Sequence, residues 1–116
     1  MYQLVITVSD IDYKEDIFLA LQSIGVAAAS VVEAKNMGRS LESEFSLFTG
    51  FLDSKTAREG EQLLIICTIE SPDLAKEFVA NLKASGINFK KKSNILSFTL
   101  IPLTLGFQDG EFFSEA

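Results

Sequence analysis

The chain has 116 residues, of which 47% are hydrophobic and 22% charged, with a formal net charge of -6 at pH 7. That length suits one domain with one core, the composition is too apolar for a disordered chain, and the acidic balance opposes non-specific nucleic-acid binding. The chain has no histidine and one cysteine, which excludes imidazole acid–base catalysis, histidine or thiolate metal sites and an intrachain disulfide.

Tyr2–Val8 is predicted as a strand, with Leu4, Ile6 and Val8 on one face and Gln3, Val5 and Thr7 on the other. A helix follows near Tyr13–Ile24, where Ile17, Ala20, Leu21 and Ile24 form one apolar stripe. Asp10, Asp12, Glu15 and Asp16 precede or open it, where carboxylates cap free N–H groups and oppose the helix dipole. Gly25 stands where a helix ends in a left-handed residue. Ala28–Lys35 is predicted as a second strand, and a long polar stretch runs from Asn36 to Gln62. Leu63–Ile69, an unbroken apolar run, suits a strand covered on both faces, with Cys67 as inert core. Ser71-Pro72-Asp73 starts a second helix, whose stripe is Leu74, Phe78 and Leu82, and Gly86 closes it. Ile95–Leu103 is a last strand, and Pro102 places its end at a sheet edge or bulge. The tail 104–116 carries Phe107, Phe112 and Phe113, which either latch onto a neighbouring subunit or fray.

The two halves match at a fixed offset: Leu4 with Ile65, Val8 with Ile69, Ile17 with Phe78, Leu21 with Leu82, and Gly25-Val26 with Gly86-Ile87. A doubled strand–helix–strand unit implies an α+β chain of ferredoxin-like βαββαβ type, a single domain spanning 1–116 with a long loop between strands 2 and 3. Two helices would cover one sheet face. The other would stay bare with Val5 and part of Leu63–Ile69 on it, which points to oligomerisation or a covering partner.

Ile24-Gly25-Val26, then Ser30–Lys35 and Lys35-Asn36-Met37-Gly38-Arg39, resembles the PII signalling proteins, in which a strand leads through a KGFGR-type turn into a long T-loop. Residues 36–62 match that loop in position and approximate length, and Leu47-Phe48-Thr49-Gly50-Phe51 echoes the family's LYRGAEY. The resemblance covers Tyr2 to Leu103 in order of elements. It implies a cytoplasmic homotrimer in nitrogen regulation that binds an adenine nucleotide between subunits and acts through the loop on a membrane transporter or metabolic enzyme. Several positions depart from the family pattern. Ala84–Lys92 has lysines but lacks the phosphate-cradling glycines, Leu103–Gly110 has no paired arginines, Ser40 replaces a glutamine used toward 2-oxoglutarate, and no loop tyrosine stands at the modified position. The chain is identified as a divergent member.

The candidate ligand-binding residues are Asn36, Gly38 and Arg39, with Lys90, Lys91 and Lys92 as the only concentrated positive charge. Guanidinium is permanently charged and bidentate, which suits Arg39 to a phosphate or carboxylate. Phe45, Leu47, Phe48, Phe51 and Leu52 are the candidate partner-binding residues, since loops of this length are commonly functional and exposed aromatics mark docking surfaces. No metal site and no certain cofactor are expected. With no nucleophile–base pair to point to, the chain is not expected to be an enzyme. The start MYQLVITVSDID lacks a basic segment followed by an apolar one, so no signal peptide is expected, and no run is long enough to insert into a membrane. An RNA-recognition domain would need stacking aromatics on the third strand, and a heavy-metal-associated domain paired cysteines. The alternatives that stay open are an ACT-like domain binding a small ligand at a dimer interface and an oligomeric adaptor without a ligand.

Overall fold

The structure is a computed structural model, and it describes residues 1–38 and 60–114. The elements in chain order are β1 (Tyr2–Val8), a 3-10 turn (Ile11–Tyr13), α1 (Lys14–Ser23), β2 (Ser30–Lys35), β3 (Glu61–Ile69), α2 (Pro72–Ala84), β4 (Leu96–Pro102), β5 (Leu105–Gln108) and β6 (Glu111–Ser114). Four strands form one sheet in the order β2-β3-β1-β4, with every neighbouring pair antiparallel. The molecule is thus a mixed α+β structure with an antiparallel sheet and two helices, an arrangement compatible with the ferredoxin-like fold.

The period-two and period-3.6 patterns meet in one core. Leu4, Ile6 and Val8 from β1 and Ile65, Cys67 and Ile69 from β3 pack with Ile17, Ala20 and Leu21 of α1 and Ala75, Phe78 and Leu82 of α2. Phe78 is fully buried and meets Phe98 of β4 edge-on at 6.2 Å between ring centroids. Burying one such side chain contributes roughly 1.5–3 kcal/mol. Asn81 Nδ2 donates to Ser23 Oγ at 2.7 Å, a polar tie between the helices.

The internal repeat extends to the hydrogen bonds that end the helices. After α1, Gly25 N–H donates to the Gln22 carbonyl and Val26 N–H to that of Leu21. After α2, Gly86 N–H donates to Lys83 and Ile87 N–H to Leu82, the same pattern at equivalent positions. Both are Schellman ends, and both glycines take the left-handed conformation this requires, at φ 89° and 105°.

Beyond one-residue trims at the ends of α1 and β4, the structure departs from the sequence reading in four places. β2 begins at Ser30, opposite Ile66, and leaves Ala28 and Ala29 outside; alanine has little tendency to extend a strand by itself. β3 begins at Glu61, because Glu61 and Gln62 continue the ladder opposite Lys35 and Ala34. The loop is shortened by those two residues. Ser71 does occupy the position before α2, but its hydroxyl makes no capping bond; its carbonyl accepts from Leu74 N–H, and Pro72 has no N–H to satisfy.

The fourth difference is the tail, where residues 105–114 form a hairpin of their own. Asp109 and Gly110 both have positive φ, 55° and 79°, as a two-residue type I′ turn demands. Leu105, Phe107 and Phe112 share one hairpin face; Gly106, Gln108, Glu111 and Phe113 share the other. Phe107 and Phe112 pack as a tilted pair with ring centroids 5.0 Å apart, and Phe113 lies so close over Gly106 that a Cβ there would collide with the ring.

The register also defines the sheet face turned away from the helices. It carries Gln3, Val5 and Thr7 of β1, Gln62, Leu64, Ile66 and Thr68 of β3, Ser30, Val32 and Ala34 of β2, and Ser97, Thr99 and Ile101 of β4. None of these side chains is charged.

Candidate functional site

At one end of the sheet the chain leaves β2, returns into β3 and turns from β1 into α1. Asn36 N–H donates to the Gly60 carbonyl at 2.8 Å, which closes the root of the long loop. Beside this root lies a cleft of about 430 Å³ lined by Ile11, Glu33, Ala34, Lys35, Glu61, Gln62 and Leu63. It exists because the helices do not reach the outermost strand: Val31, Glu33 and Lys35 point to the helix side of β2 yet stay exposed. Ile11 and Leu63 give the cleft an apolar lining, while Glu33, Lys35 and Glu61 give it a charged rim with Lys35 directly across the ladder from Glu61.

Asn36 and Gly38 stand exposed at the end of β2. Arg39 and the aromatic and leucine residues Phe45, Leu47, Phe48, Phe51 and Leu52 lie outside the described residues.

Lys90, Lys91 and Lys92 lie at the same end of the molecule, in the turn before β4. The Asn88 carboxamide oxygen accepts from the backbone N–H of Lys90 at 3.0 Å and of Lys91 at 3.3 Å, an Asx turn that holds this backbone without glycine. Lys92 Nζ sits 5.5 Å from the centroid of the Tyr13 ring. A second cleft of about 320 Å³ is lined by Asp10, Lys91, Lys92, Ser93, Asn94 and Ile95. Two ammonium groups face one carboxylate there. Asp10 is also held locally, accepting from Asp12 N–H at 3.1 Å, and Ser9 and Asp10 N–H both donate to the Ile95 carbonyl.

The two sets do not meet within one chain. β2 and β4 are the opposite edges of the sheet, three strand spacings apart, which is about 14 Å. Among the described residues no group of three or more Asp, Glu or Cys side chains could hold a metal ion. Cys67 is buried in the core, and burial pushes its thiol pKa up, away from the reactive thiolate. Among the described residues no helix is long and apolar enough to cross a membrane.

The sequence reading missed the cleft residues Glu33, Lys35 and Glu61. Their signal lay in the fold rather than in any motif: once β2 and β3 are antiparallel neighbours, residues flanking the loop become cross-strand partners. The hairpin was also missed, although Asp109-Gly110 between two short apolar segments is the standard sign of a tight turn. The chain matches no protein-family model and no curated protein sequence.

Proposed function

We propose that this chain is a divergent PII-like regulatory protein, a cytoplasmic ferredoxin-like βαββαβ domain that assembles as a homotrimer. In this reading a small anionic effector, with an adenine nucleotide as the first class to test, binds between subunits and biases the conformation of the long loop. The loop in turn controls a membrane transporter or metabolic enzyme, in the manner of nitrogen regulation. Effector and partner affinities are then linked reciprocally.

One observation carries the reading. The loop root, with Asn36 and Gly38, and the lysine turn Lys90–Lys92 sit at the same end of the sheet but on opposite edges. A ring that sets the β2 edge of one copy beside the β4 edge of the next brings the two sets together. An anion held there touches the base of the loop directly. Local cations are required, because the protein as a whole carries -6 and the cleft at the loop root holds two carboxylates against one ammonium.

Titration calorimetry with ATP, ADP, AMP and 2-oxoglutarate tests this. At least one should bind, and Arg39→Ala or the pair Lys91→Ala and Lys92→Ala should weaken it by about ten- to a hundredfold, the worth of a charge-assisted contact. Absence of binding for all four would remove the effector from the account.

A further inference from the structure

The C-terminal hairpin is built the wrong way round for a free monomer. On the hairpin face it shares with Glu111, Gln108 lines a cavity with Ala27–Ser30 and Ile66–Thr68 of its own chain. Its apolar face looks outward: Leu105 is 61% exposed, Phe107 63% and Phe112 73%. Water is the worst solvent for that face, yet the hairpin is shaped with care. It has an Asp-Gly turn with both residues left-handed, a ring laid on a glycine and a tilted aromatic pair. A two-stranded hairpin alone is marginal in water, so these features fix the shape of an arm whose Leu105, Phe107 and Phe112 stay mostly exposed.

The same chain offers a surface of matching chemistry. The sheet face turned away from the helices has no charged side chain, and its centre is Val5, Leu64 and Ile66, flanked by Val32 and Ile101. We propose that the hairpin is an arm that seats Leu105, Phe107 and Phe112 on this charge-free sheet face of a second copy of the chain. About two-thirds of three large side chains amounts to roughly 400 Å². Each arm contact therefore buries about 800 Å² counted over both copies, about half of a standard interface, and the neighbouring sheet edges of the proposed ring supply the rest. Giving and receiving use different surfaces, so the contact is head-to-tail and closes into a ring when the rotation allows. The inference rests on the self-assembly proposed above and adds the element that holds it.

Cross-linking between differently sized chains tests the arm. One chain carries Ser114→Cys, on the apolar face of the hairpin; the other carries Thr99→Cys, on the open sheet face. Buried Cys67 stays in place. A short bis-maleimide should join the two chains into one species. No such species, with the mixture still assembled by sedimentation, would overturn the arm. In a second measurement, Phe107→Ser with Phe112→Ser should weaken self-association by at least about 100-fold, as loss of two aromatic anchors does, with the circular dichroism of the main sheet and helices kept. Association at the wild-type level would sink the arm and leave assembly standing. A wild-type protein that is a single chain at every concentration would remove both.

Discussion

On the helix side of the sheet, Leu4, Ile6, Val8 and Ile65 have no exposed surface. One residue along the same strands, Val5, Leu64 and Ile66 face the other way and are only half-buried. A soluble antiparallel sheet with one wet face normally alternates apolar with polar and charged residues. Here the open face is uncharged throughout, although charged residues make up 22% of the chain. The first face is completed by its own helices. The second has the composition of a surface that is covered too, and the proposed arm and ring would supply the cover.

That contrast can be broken most sharply from the open side. Ile66→Glu places a carboxylate in the middle of the charge-free face. It should cost several kcal/mol of association, because an unpaired charge would be buried, while unfolding of the isolated chain shifts by less than about 1 kcal/mol. Sedimentation and urea unfolding, run together, separate the two effects. Assembly that survives the substitution would leave the open face as ordinary surface.

Phe78→Ala attacks the other face. It removes the largest fully buried side chain and its contact with Phe98, and should lower stability by about 3–5 kcal/mol. A loss under about 1 kcal/mol would mean that the core is not organised around it. The neighbours Cys67 and Thr68 sharpen the comparison at smaller amplitude, since consecutive strand residues face opposite sides. Cys67→Ser puts a hydroxyl into the helix-covered core and should cost about 1–3 kcal/mol. Thr68→Val, on the open face, should stay within about 0.5 kcal/mol for the unassembled chain.

Most of the covered face was legible in the sequence. The stripe of Ile17, Ala20 and Leu21 and the alternation of Leu4, Ile6 and Val8 are local patterns with one physical meaning, burial against a single surface. The repeat added the order of elements, and the matching Schellman ends at Gly25 and Gly86 show it acting at the level of hydrogen bonds. What escaped was set by pairing. Glu61 and Gln62 look like loop until Lys35 and Ala34 lie across from them, and the cleft at the loop root exists only because α1 and α2 leave β2 uncovered. The tail was read through its phenylalanines alone, so the Asp109-Gly110 turn that orders them went unused. The candidate site was legible as separate pieces, Asn36 and Gly38 in one place and Lys90–Lys92 in another. That they stand on opposite edges of one sheet end depends on strand order, which no local pattern carries.

The central claim is that the open face and the two edges are completed by further copies of the chain. Sedimentation equilibrium on the unmodified protein tests it most directly. The account predicts a mass three times that of the 12.7 kDa chain, unchanged by salt because the contact is apolar. A mass of one chain or of two would contradict it.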